Sequence, residues 1–62
     1  MIPVYIVEEN VNGQWRPRVV YSERDLAELW VKRVCPLELK DENKFIIEVV
    51  DGVGLKWARE CD

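Results

Sequence analysis

Hydrophobic residues alternate with others through "IPVYIVEE": Ile2, Val4 and Ile6 fall on one side, and Pro3, Tyr5 and Val7 on the other. That period of two predicts a β-strand. "QWRPRVVY" is a second run of strand-forming residues, and Asn12-Gly13 lies between the two. An Asn-Gly pair accepts the positive φ that a two-residue type I′ turn requires at both positions, so the two runs form a hairpin. Strict alternation from that turn pairs Val11 with Gln14, Glu9 with Arg16, Val7 with Arg18 and Tyr5 with Val20 on one face. Asn10–Trp15, Glu8–Pro17, Ile6–Val19 and Val4–Tyr21 fall on the other. Glu9 opposite Arg16 is a favourable cross-strand charge pair.

The period changes after Tyr21. In "SERDLAELWVKRVC", Leu26, Ala27, Leu29, Trp30, Val31 and Val34 form an apolar arc centred on Trp30, with Arg24, Asp25, Glu28 and Lys32 opposite it. This is an amphipathic helix. Ser22 is the expected N-cap, with Asp25 as a shortened capping box and Tyr21 and Leu26 as a hydrophobic staple. Glu23 and Asp25 suit the positive end of the helix dipole, and Lys32 and Arg33 the negative end. Pro36 biases Cys35 away from helical geometry, which sets the expected stop. "PLELKDEN" reads as a loop anchored by Leu37 and Leu39, and "KFIIEVV" as a third strand with apolar residues on both faces. "DGVG" is a turn. The segment 55–61 admits a fourth strand or a short helix, with strand the narrow preference.

Pro17 fixes the strand order. It falls at a pair without ladder bonds, so its missing N–H points away from the first strand and no partner can lie there. The second strand is therefore an edge, and a right-handed crossover through the helix delivers the third strand to the other side of the first. The expected fold is one α+β domain over residues 1–62. It is an antiparallel sheet ordered 2-1-3, or 2-1-3-4 with the tail, with one helix on one face. The helix is expected over the face with Val4, Ile6, Val19 and Tyr21, its C-terminal end lying over the hairpin tip where Trp15 can cap Val34 and Leu37.

Sixty-two residues stand near the lower limit for unaided folding, but 48% hydrophobic content with three Trp, two Tyr and one Phe supplies a core. Twelve acidic against nine basic residues give a net charge of -3, which favours neither general nucleic-acid binding nor anionic membranes. No segment approaches the apolar length of a membrane span, and the start lacks the pattern of a signal peptide. Cys35 and Cys61 form no CxxC pair, so a cytoplasmic chain with two free thiols is the default, although the spacing leaves a bridge open.

The chemistry inventory excludes more than it suggests. There is no histidine, no threonine and a single serine, so neither a histidine-activated nucleophile nor a histidine metal site can be built. Gly13, Gly52 and Gly54 are divided between two turns and make no phosphate cradle. No catalytic residue, metal or cofactor is expected, and the chain reads as non-enzymatic. One helix covers one face of a small sheet, which leaves the face with Tyr5, Val7, Arg16, Arg18 and Val20 for a partner. Tyrosine and arginine are over-represented in interface hot spots, so a protein partner is the first reading. Stacking of single-stranded nucleic acid on the same face is the second, with Lys56, Trp57 and Arg59 added if Trp57 faces the same way. Self-association through that face is the third.

The layout of hairpin, capped helix and strand in about sixty acidic residues resembles the small ββαβ proteins that phages encode. "RPRVVYSERDLAELW" is similar to the strand-into-helix passage of the T7-type inhibitors of host RNA polymerase: an apolar strand ending in Tyr, then an acidic capped helix with Leu, Ala, Glu and Trp. The similarity spans about a quarter of the chain, carries no chemical motif, and stops before the tail after Gly52. It implies a non-enzymatic regulator that binds and occludes a large host enzyme, without assigning individual binding residues.

Overall fold

The structure is a computed structural model and describes residues 2–52. β1 (Pro3–Val11) and β2 (Gln14–Tyr21) form the hairpin, α1 (Arg24–Leu37) follows, and a 3₁₀ turn (Glu42–Lys44) leads into β3 (Phe45–Asp51). The sheet is antiparallel throughout, in the order β2-β1-β3. This is the α+β, ββαβ arrangement expected. The turn has the backbone that Asn-Gly permits, with φ of 53° at Asn12 and 84° at Gly13, and the Asn10 side chain accepts from the Gly13 N–H at 2.9 Å. Expectations for residues 55–61, for Trp57 and for Cys61 fall outside the described residues.

The hairpin register departs from strict alternation halfway along. Val11–Gln14, Asn10–Trp15, Glu9–Arg16 and Glu8–Pro17 pair as expected, but Val7 pairs with Val19, Ile6 with Val20 and Tyr5 with Tyr21. Arg18 is the extra residue of a β-bulge between the two halves. Because strand side chains alternate with a period of exactly two residues, one inserted residue changes which side chains share a face.

That single insertion re-sorts the core. Val19 and Tyr21 now lie with Tyr5 and Val7, and α1 packs over this set, not over Val4 and Ile6. Val7, Ala27, Cys35 and Phe45 are buried between helix and sheet, joined by Tyr5, Val19, Tyr21, Trp30, Val31, Val34 and Ile47. Trp30 meets Phe45 edge to face, ring centroids 5.7 Å apart. The opposite face holds a second buried cluster of Val4, Ile6 and Val20, with Val50 against it. The expectation that the helix covers Val4 and Ile6, and leaves Tyr5, Val7 and Val20 outward, is thereby corrected.

The ends of α1 also differ from expectation. Glu23, not Ser22, is the N-cap, and no side chain caps the first turn; the Ala27 N–H donates to the Glu23 carbonyl at 3.3 Å. At the other end the helix passes through Pro36 to Leu37. Pro36 sits on the exposed side of the last turn, where a carbonyl left without its N–H partner is open to water. The helical face that meets the sheet is Ala27, Trp30, Val31, Val34 and Cys35, a narrower and slightly rotated version of the predicted arc.

Candidate functional site

The five residues expected to dock a partner are not brought to one open face. Val7 and Val20 are fully buried, and they lie on opposite sides of the sheet. Tyr5 is half-buried in the helix-side cluster, where the Arg24 guanidinium stands 5.5 Å from its ring centroid. Arg16 is exposed and donates to the Gln14 side chain at 3.2 Å. Arg18 is the largest correction. Its position in the bulge turns it towards the helix, where it lies 5.2 Å from the Trp30 ring centroid and bonds two carboxylates. The aromatic-and-arginine face needed to stack nucleic acid is likewise not assembled from these residues.

Arg18 belongs to a clamp that the sequence pattern did not reveal. Its guanidinium donates to Glu9 at 2.6 Å and to both oxygens of Glu38 at 2.8 and 3.2 Å. Lys40 bridges the same two carboxylates, reaching Glu38 at 2.8 Å and bonding Glu9. Two cations and two anions thus tie the hairpin to the loop after α1. Glu9 is the one buried charged residue among the described residues, 6% exposed, and is tolerated because both cations reach it. The hydrogen bond from Lys40, then that from Arg18, holds the Glu9 carboxyl below its ordinary value against the opposing effect of burial. Hydrogen bonds from Arg18 and then Lys40 pull Glu38 down to about 2. The same contacts raise both cations further above their ordinary values.

The clamp holds an unusual helix end. The Lys40 N–H donates to the Cys35 carbonyl at 2.8 Å and the Glu38 N–H to the Val34 carbonyl at 2.9 Å. The six-residue closure is the Schellman pattern, in which the residue after the C-cap adopts left-handed backbone and is usually glycine. Here that residue is Leu39, with φ of 55°. It is 93% exposed, and Leu37 is 81% exposed. Neither anchors the loop, contrary to expectation: the clamp does, and the two leucines on either side of Glu38 face water. Trp15 does not cover Leu37 either. It pairs with Asn10 on the sheet face opposite the helix and is itself exposed.

Leu37 continues a stripe along α1. At about 100° per residue, Leu26, Leu29, Arg33 and Leu37 lie within about 80° of one another, to one side of the core-facing arc. Leu26 and Leu29 are each 41% exposed. The other side of the helix faces β3, where Arg24, Glu28, Val31 and Lys32 line a groove with Phe45 and Ile47. The stripe therefore occupies the flank away from β3. Three leucines along one flank, with Arg33 among them and the exposed Leu39 in the loop that follows, exceed the scattered apolar residues normal on a protein surface. A signal for it was present in the sequence: the apolar arc spans more of the helix than one sheet face can cover.

The remaining chemistry is sparse. Cys35 is buried, and burial first, then Glu42, Asp41 and Glu38, push its thiol up and away from reactivity. Glu8 lies near Glu48 on the neighbouring strand, and desolvation followed by that neighbouring carboxyl raises its pKa. No group of three or more His, Cys, Asp or Glu is placed to hold a metal among the described residues, and none of their helices is long and apolar enough to cross a membrane. No protein-family model matches the chain, and no curated protein or solved structure matches it either.

Proposed function

We propose that this chain is a non-enzymatic protein-binding module that acts by contact and occlusion, through the leucine flank of α1 and the loop that follows it. The observation that carries the reading is the pair Leu37 and Leu39. A leucine in left-handed backbone costs roughly 1–2 kcal/mol, which glycine would avoid, and its exposure to water offsets none of that among the described residues. Such local strain is characteristic of positions kept for a contact. The clamp of Glu9, Arg18, Glu38 and Lys40 fixes the loop in advance, so little ordering is needed on binding. An apolar helical stripe of this kind suits a hydrophobic cleft on a larger protein. The absence of histidine and the single serine in the sequence support the non-enzymatic part.

The resemblance to phage proteins that block a host polymerase supports the mode of action and suggests bacterial RNA polymerase as the first purified target. The test places a photo-crosslinking amino acid at position 37 or 39, with position 48 on the opposite sheet face as control. Adducts from 37 and 39 but not from 48 are expected, either in extract or with the purified polymerase. Equal labelling from 48, or none from 37 and 39, refutes the assignment.

A further inference from the structure

The sheet face opposite α1 is buried, yet no described element lies over it. Val4, Ile6 and Val20 form a cluster there, joined by Val50, and no residue of α1 or of the 3₁₀ turn belongs to it. Val20 is wholly removed from water although β2 is an edge strand, and Val4 and Ile6 are nearly so. An antiparallel sheet face with no layer packed on it is solvated. This burial belongs to a single chain, so neither a second copy nor a foreign protein supplies it. It is also graded along the sheet. It is deepest around the pairs Val4–Val50 and Ile6–Val20, at the end where the chain leaves β3. Towards the hairpin tip, Ile46 and Trp15 on the same face are exposed. At the buried end the Gly52 N–H donates to the Ile2 carbonyl at 2.8 Å, and a Cβ at Gly52 would stand 2.6 Å from Cγ1 of Val4. Gly52 therefore lies directly against the cluster.

We infer that this face is the docking surface for residues 53–62 of the same chain, with Val53, Leu55 and Trp57 set against Val4, Ile6, Val20 and Val50. Those three alternate with Gly54 and Lys56 in the sequence, so an extended chain presents all of them to one side. The reach is sufficient. β2 lies about 10 Å from β3 across the sheet, and four extended residues span about 13 Å. A short segment that starts at Gly52 also accounts for the gradient, because it covers the near half of the face and leaves Ile46 and Trp15 in water. The other end of the chain does not supply the cover: Ile2 is exposed, and a single residue before it is too little for three side chains. Docking here closes the second apolar face of the sheet. The leucine flank stands on the other side, so the two surfaces are occupied independently.

The test is methyl and aromatic NOE spectroscopy on the full chain, with a dissolved nitroxide as the probe of solvent access. Cross-peaks are expected from the Leu55 methyls and the Trp57 indole to the methyls of Ile6 and Val20, and none to Ala27 or Val31 on the helix side. The nitroxide should leave the Ile6 and Val20 methyls sharp. In the variant with both Leu55→Ser and Trp57→Ser, the resonances of Val4, Ile6 and Val20 should move and broaden with the nitroxide, while those of Ala27 and Val31 stay in place. The wild-type spectra decide the question even where that variant fails to fold. No cross-peak between residues 53–62 and this face overturns the inference, as does broadening of the Ile6 and Val20 methyls in the wild type. A mixture of labelled and unlabelled chains closes the last route: cross-peaks that arise only between copies assign the cover to a second copy's segment and equally overturn it.

Discussion

Arg16 and Arg18 are equivalent in the sequence, two arginines around a proline on an edge strand, yet the structure assigns them opposite weights. Replacing Arg18 with alanine removes the 2.6 Å bond to Glu9, the two-pronged bond to Glu38 and the packing on Trp30. The bond to Glu9 is charge-assisted and its acceptor is buried, so it contributes about 1.5 kcal/mol. The Glu38 pair is a third exposed on each side, and solvent screening leaves about 0.5 kcal/mol. Stacking on the indole adds about 0.5 kcal/mol. The loss totals about 2.5 kcal/mol, since Lys40 still reaches both carboxylates and prevents Glu9 from being buried unpaired. A domain of this size has roughly 3–9 kcal/mol in all, and each kcal/mol moves its Tm by about 4–8 °C. Thermal unfolding followed by far-UV circular dichroism should therefore show Arg18→Ala melting about 10–20 °C below the parent. Arg16→Ala, which loses only a bond to Gln14, should stay within about 0.5 kcal/mol. Equal effects of the two substitutions, or an Arg18→Ala drop below about 4 °C, would refute the clamp as a stabilising element.

Leu39→Gly should raise stability by about 1 kcal/mol in urea unfolding, because glycine adopts φ of 55° without steric cost; the same variant should lose crosslinking from position 37, and a destabilised variant would contradict the helix-end geometry. Glu8→Gln should raise the Tm at pH 7 by the equivalent of about 0.5 kcal/mol after allowance for solvent screening and leave it unchanged at low pH. The sign follows from the raised folded-state pKa of Glu8: folding binds its proton more tightly, so the contribution favours folding at low pH and turns into a penalty as pH rises through that value. Glu9 and Glu38 act in the opposite direction. Their folded values lie below the ordinary 4.5, so the stability they supply is present above 4.5 and is lost as pH falls towards about 2. Tm measured from pH 7 to pH 2 should fall along that acid limb, and Arg18→Ala should flatten it; an acid limb of the same depth in the variant would show that the clamp is not its source.

Much of the fold was legible because it rests on local chemistry. Asn12-Gly13 specifies the turn through its tolerance of positive φ, the change of period after Tyr21 marks the helix, and Pro17 makes β2 an edge by withholding one N–H. These properties act over a few residues and do not depend on distant parts of the chain. Element order, strand order and fold class follow from them.

The site was not legible, and one residue explains most of the difference. The bulge at Arg18 appears in no propensity or pattern, because it is a compromise between two surfaces that meet only in three dimensions. Regular pairing would oppose Val7 with Arg18, whereas the inserted residue opposes it with Val19 and lets Val7, Val19 and Phe45 close under Trp30. It also turns Arg18 towards Glu9 and Glu38, residues 9 and 20 positions away. Which face α1 covers, which arginine is structural, and which leucines remain outside all follow from that choice. Turn chemistry, periodicity and a missing donor are enough to set the elements and their order from within the chain. The faces were settled in three dimensions, because a side chain's side of a sheet depends on a register that distant packing sets, and a shift of one residue reverses it.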